Sequence, residues 1–96
     1  MDFGEALHKL RAGKAVARSG WNGKGMFLYL VGPGDYRAAS PVAKQVWGDD
    51  LVPYGPYIAM KTAQGNVVPW LASQTDVLAD DWISLFPEEL KEAAHG

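Results

Sequence analysis

The chain has 96 residues, nine of them basic and eleven acidic, for a formal net charge of −2; 48% are hydrophobic and none is cysteine. A chain of this length holds one domain and excludes a second, and its apolar content belongs to a globular chain rather than a disordered one. The missing cysteine excludes disulfides, thiolate nucleophiles and cysteine metal sites, while a charge so near zero argues against general nucleic-acid affinity, which rests on many phosphate contacts.

The first predicted element is a helix. Asp2 caps it, Phe3, Ala6, Leu7 and Leu10 repeat at helical spacing, Glu5 closes a capping box and Gly13 stops it. About ten residues make a helix too short to stand alone, so its apolar stripe must lie on something. The next segments predict a sheet. Ala15 to Arg18 reads as a short strand, and Met26 to Val31 as a strand apolar on both faces, which calls for cover on both sides.

Residues 32–56 are punctuated by Pro33, Gly34, Pro41, Gly48, Pro53, Gly55 and Pro56, and the expectation here is a long irregular loop. Tyr57 to Thr62 and Val67 to Trp70 then predict a hairpin, with Gly65 and Asn66 accepting positive φ in the turn. Pro69 lacks an N–H and pushes the second arm to a sheet edge or ends it. Ser73 caps a short helix over Thr75 to Ala79, Trp82 to Phe86 forms the last strand, and residues 87–96 are a tail with a helical turn or two. The expected class is α+β: a small antiparallel sheet with the N-terminal helix packed on it and a short helix before the last strand. No apolar run reaches the roughly 18 residues of a membrane span, and Met1 leads into Asp2 and Glu5 rather than a basic leader, so a soluble, cytoplasmic protein is expected.

Two clusters suit ligand chemistry. In Trp21-Asn22-Gly23-Lys24-Gly25 the glycines let the backbone turn tightly and aim N–H groups outward, Lys24 adds a positive charge, and Trp21 offers a flat face of the kind on which nucleobases stack. The second cluster is Trp70 with Ser73, Gln74, Thr75 and Asp76. There a helix start presents N–H groups and a hydroxyl to an anion, and Asp76 can accept from a ribose or a base amino group. Both clusters have a plainer reading: a Gly-rich turn with a structural Trp, and a pair of helix-capping residues. Lys9, Arg11, Lys14, Arg18 and Lys24 follow one another without an intervening acid, which suits a small anion or equally a solvated helix face. Asp80 and Asp81 are adjacent, tend to point apart and make a poor metal pair, so no metal is expected. Catalysis has few candidates: His8 and His95 are the only histidines, one on the first helix and one in the tail. Four Trp, four Tyr and three Phe exceed what one small core hides, so some belong at an interface or a ligand site.

Taken together, Phe3-Gly4-Glu5-Ala6-Leu7, Arg18-x-Gly-Trp21-Asn22-Gly23, Met26 to Val31, Tyr57-Ile58-Ala59-Met60-Lys61-Thr62, Val68-Pro69-Trp70, Ser73-Gln74-Thr75-Asp76 and Asp80-Asp81-Trp82 resemble the phage Thoeris anti-defence 2 family, over about residues 3–31 and 57–82. The resemblance implies a non-enzymatic, cofactor-free sponge, a homotetramer in the cytoplasm of the infected bacterial host. It would sequester glycocyclic ADP-ribose, the signal of TIR-domain proteins in Thoeris defence. Some members also trap cyclic dinucleotides of CBASS defence in a second pocket. A subunit interface is the place for such a pocket, because a ligand cavity of roughly 300 to 1,000 Å³ is hard to hollow out of one small domain. The site expected from both lines of reasoning comprises Arg18, Trp21, Asn22, Gly23, Lys24, Met26, Trp70, Ser73, Thr75 and Asp76, drawn from one or from neighbouring subunits. Two other readings remain at this point: an enzyme that cleaves a cyclic nucleotide with its unassigned carboxylates, and a module that docks on a host protein through Tyr36, Trp47, Tyr54 and Tyr57.

Overall fold

The structure, a computed structural model, describes residues 1–21 and 25–95, with side chains as far as Lys91. Helix α1 spans Phe3–Arg11. Asp2 caps it by accepting the Glu5 N–H at 2.8 Å, and Gly13, at φ 84°, turns the chain away after the last turn. The strands β1 (Val16–Arg18) and β2 (Phe27–Val31) follow, then β3 (Gly34–Arg37), α2 (Pro41–Trp47) and β4 (Leu51–Tyr54). The chain continues through β5 (Tyr57–Lys61), β6 (Val67–Pro69), α3 (Gln74–Leu78), β7 (Trp82–Ser84) and α4 (Pro87–His95). Five strands form one antiparallel sheet in the order β6-β5-β2-β1-β7, and β3 pairs with β4 in a separate two-stranded ribbon. The class is α+β.

Register assigns the faces. Val16 stands opposite Leu28 and Ser84, Arg18 opposite Trp82, and Leu28 opposite Met60, so these residues share the face on which α1 lies. There Ala6, Leu10, Val16, Leu28 and Trp82 make the core, with Phe3, Leu7, Trp21, Ile58, Met60 and Trp70 packed around it. The opposite face carries Phe27, Tyr29, Val31, Tyr57 and Val67. Among the described residues its cover is partial: Leu90 of α4 joins Ala15, Phe27, Tyr29, Lys61 and Val67 around an open groove of about 430 Å³. Pro69 ends β6 at a sheet edge, where its missing N–H is needed by no neighbour. In the turn that joins β5 to β6 only Gly65 has positive φ, and Asn66 does not share it. The other outer edge is lined by residue 1, whose carbonyl accepts the Trp82 N–H at 3.1 Å.

Residues 32–56 correct one expectation: they are not an irregular loop but carry β3, α2 and β4. Ser40-Pro41 starts α2, the serine hydroxyl accepting the Ala43 N–H at 3.2 Å and proline taking the first helical position, where no N–H is required. Gly48, at φ 57°, ends it. Pro53 is tolerated inside β4 because both strands of a two-stranded ribbon are edges. The unit has its own small core of Ala38, Ala43 and Val52. The tail also holds more helix than a turn or two, since α4 runs for nine residues. Among the described residues no helix is long and apolar enough to cross a membrane.

Candidate functional site

The end of β1, the start of α3 and the approach to β7 meet beside the core, and Trp82 is the body around which they gather. It is 1% exposed. Trp21 and Trp70 stand edge-on to it, with ring centroids at 5.5 and 6.0 Å, and Phe3 tilts against it at 5.4 Å. Its indole N–H donates to the Asp76 carbonyl at 3.0 Å, tying the strand to α3. Trp21 and Trp70 are both half-buried, so each keeps part of its ring toward solvent while an edge is pinned against Trp82.

A polar clasp closes over this aromatic body. Arg18 faces Trp82 across the sheet and sends two N–H groups to two acids: Nη1 donates to Asp76 Oδ1 and Nε to Asp81 Oδ1, each at 2.8 Å. The Trp21 indole N–H reaches the same Asp76 oxygen at 3.4 Å. Asp81 uses its other oxygen to accept the Gly20 N–H at 2.8 Å, and a Cβ at Gly20 would stand 2.7 Å from that oxygen and push the carboxylate aside. Ser73 caps α3 by accepting the Asp76 N–H at 3.1 Å. Asp76 is therefore fixed at both backbone and carboxylate, at the start of the helix, where an acid is also favoured by the free N–H groups.

The charges follow from these contacts. Burial pushes the Asp76 carboxyl up, but hydrogen bonds from Arg18, Ser73 and Trp21 outweigh it and leave the group below the ordinary carboxylate range. Asp81 is lowered by its hydrogen bond from Arg18 against a smaller opposing effect of burial, with help from the Gly20 N–H. Arg18 is raised, first by its bond to Asp81 and then by that to Asp76. The two acids are held as carboxylates, and the guanidinium is answered by both of them.

The structure thus brings Arg18, Trp21, Trp70, Ser73 and Asp76 into one patch, although up to 58 positions separate Arg18 from Asp76 in the chain. Met26 is half-buried just ahead of β2 and Thr75 is exposed on α3; among the described residues no hydrogen bond joins either to the clasp. Asn22, Gly23 and Lys24 lie outside the described residues. The expected site leaves out Asp81, read in the sequence as half of a poor metal pair and as part of the Asp80-Asp81-Trp82 motif, and it leaves out Trp82. A lone arginine at the end of a strand, with acids far along the chain, was the one available signal for the first.

A family model described as the Thoeris anti-defense 2-like domain matches residues 1–85, which takes in the whole five-stranded sheet, the clasp and the ribbon. The chain belongs to this family. A curated relative, Thoeris anti-defense 2 of Bacillus phage SP01, is 44% identical over 82 residues, covering 85% of this chain and 91% of the relative. Membership in the Thoeris anti-defense 2-like family supports a phage anti-Thoeris role. The matched region ends before α4, so the helix that supplies Leu90 to the second face lies outside the shared domain.

Proposed function

We propose that this protein is a phage anti-defence sponge that binds glycocyclic ADP-ribose and withholds it, chemically unaltered, from the effector of Thoeris defence. The observation that carries the reading is the convergence of Trp21, Trp70, Arg18, Ser73 and Asp76 on the buried Trp82 in a member of this family. In the proposed complex Trp21 stacks on adenine, Asp76 accepts from a ribose hydroxyl or a base amino group, and Lys24 answers the pyrophosphate. Arg18, already engaged by two carboxylates, holds Asp76 in position rather than meeting phosphate itself. Tight sequestration favours this economy, because groups already locked by packing and hydrogen bonds lose little freedom when a ligand arrives.

The electrostatics argue against general-acid work by the two acids of the clasp. A carboxyl that works as a general acid near neutral pH needs its pKa raised, whereas Asp76 and Asp81 are both lowered by the same arginine. The test is to add glycocyclic ADP-ribose to the purified protein, follow the melting temperature, then heat the complex and weigh the released ligand. A sponge gives a rise in melting temperature, about 4 kcal/mol of added stability at a thousandfold excess over Kd, and a ligand of unchanged mass. A changed mass would mean an enzyme. Trp21→Ala and Asp76→Ala are expected to weaken calorimetric binding at least tenfold, and parental affinity in both would remove these residues from the site. A parallel titration with cyclic dinucleotides decides whether a second class of signal is also bound.

The proposal includes a homotetramer in the cytoplasm of the infected host cell. Its support is the apolar second face, where Phe27, Tyr29 and Val67 surround a groove that the described part of α4 meets through Leu90. Tyr29→Glu, in the middle of β2, puts a charge on that face and is expected to reduce the mass measured by light scattering to that of a smaller assembly or a single chain. An unchanged mass would move the interface elsewhere.

A further inference from the structure

The ribbon of β3 and β4 is not merely attached to the five-stranded sheet; it continues the β2–β5 ladder in the same register. The last pair of that ladder is Val31 opposite Tyr57, and the first pair of the ribbon is Gly34 opposite Tyr54. Counting across the gap sets Gly32 opposite Pro56 and Pro33 opposite Gly55, so each proline faces a glycine. No residue is inserted or lost. Yet the ladder stops for two pairs, and among the described residues no backbone hydrogen bond joins residues 32–33 to residues 55–56.

Chemistry explains the interruption. Only alternate pairs of an antiparallel ladder exchange N–H···O=C bonds, so the two missing pairs call for two donors, and with a proline in each pair one of those two is always absent; the two glycines impose the least restraint on φ and ψ of any residue. Neither glycine is held by packing, since a Cβ on Gly32 or Gly55 would meet no heavy atom within 4 Å. On either side of the gap the two bodies keep separate cores: Ala38, Ala43 and Val52 in the ribbon, and the Trp82 cluster in the sheet. Between them a cleft of about 400 Å³ remains open. Tyr36 and Tyr54 line it from the ribbon, and Val31, Tyr57 and Pro69 line it from the sheet. Within the ribbon, Tyr36 and Tyr54 are braced by each other, ring centroids at 5.8 Å, and Tyr36 lies over Gly34, where a Cβ would come within 2.7 Å of its ring.

We propose that residues 34–54 form an arm that swings as one unit about the paired Gly32-Pro33 and Gly55-Pro56 dipeptides, opening and closing the tyrosine-lined cleft. Closure carries Tyr36 and Tyr54 toward Tyr57 and Pro69. The ribbon can do this without breaking a ladder bond, because its own register and core move with it, and hinges of this kind need only a few residues that absorb a change in φ and ψ. The proposal rests on the ladder and the two cores, not on the nature of any ligand.

The test is to record backbone N–H residual dipolar couplings on the whole chain in a weakly aligning medium. Couplings from residues 34–54 are expected to require their own alignment tensor, weaker than that of the five-stranded sheet; a single tensor fitting both would overturn the proposal. A second chain assigns the motion to the dipeptides. Gly32→Thr, Pro33→Val, Gly55→Thr and Pro56→Val together restore the missing donor with residues that favour extended backbone, and are expected to merge the two tensors into one. Two tensors persisting in that chain, with sheet chemical shifts unchanged, would show that the dipeptides are not the hinge.

Discussion

Replacing Trp82 by alanine is expected to remove a large share of the stability of the domain. Trp82 is 1% exposed, and Phe3, Trp21 and Trp70 all rest on it, so its removal takes the common support from under the aromatic body. Large aromatic-to-alanine changes in cores cost about 3 to 5 kcal/mol, against a total stability of about 5 to 14 kcal/mol for a domain of this size. At about 4 to 8 °C per kcal/mol, the fall in melting temperature is about 12 °C or more. Trp82→Phe isolates the polar part of the effect. It keeps most of the ring but loses the indole N–H to the Asp76 carbonyl; the Ala79 N–H still reaches that oxygen at 3.3 Å, so the carbonyl is not stranded. The expected cost of the lost bond is about 1 kcal/mol plus that of the smaller volume. Calorimetric melting of the two variants checks both numbers, and a Trp82→Ala chain that melts within a few degrees of the parent would mean that the aromatic body is not the support of the fold.

Arg18→Leu is expected to reverse the response of the domain to acid. In the parent, Asp76 and Asp81 titrate below their unfolded range, so their contribution to stability is complete above about pH 4, the ordinary carboxylate value, and is lost as pH falls through the lowered folded values. Arg18 is shifted upward, so its contribution is present throughout the working range and would fade only in strong alkali. Without the guanidinium, two carboxylates that both stood 2.8 Å from it face each other with no cation between them. Their folded pKa values then rise above the unfolded ones, and protonation relieves the repulsion. The variant should melt well below the parent at pH 7, and the gap should narrow steadily toward pH 4. Denaturant melts at several pH values read this directly: a gap that is constant with pH would show that Arg18 acts through packing alone. Asp76→Asn with Asp81→Asn in the Arg18→Leu background should recover part of the loss at pH 7, because no unpaired charge remains.

These expectations also separate structure from function at the proposed site. Arg18 and Trp82 act by holding other groups, so conservative changes there should lower stability and ligand affinity together. Trp21→Ala removes a half-buried ring at the rim of the body and should lower affinity more than stability. A Trp21 variant that lost stability in proportion to affinity would make Trp21 a core residue and nothing more.

The elements were legible along the chain because the signals that start and stop them are local. Asp2 with Glu5, Ser73 with Asp76, Gly13 and Pro69 act on backbone groups within a few residues, and each lies where the caps, turn and edge are found. The ribbon was misread because its signals are local too but conflict. Ser40-Pro41 starts a helix, and Pro53 looks like a breaker until the partner strand shows that no N–H is wanted from it, while Pro33 and Pro56 do interrupt the ladder but for two pairs only. In the candidate site, residue types pointed to Trp21 and Asp76, and the resemblance to a family supplied the chemistry expected of them. What no reading along the chain could supply is the Arg18 clasp, with acids 58 and 63 residues away, or the choice of Trp82 as the body on which Trp21 and Trp70 lean. Local order depends on hydrogen bonds between near neighbours, whereas pairing of distant charges and rings depends on which strands lie side by side, and that is decided only when the sheet is assembled.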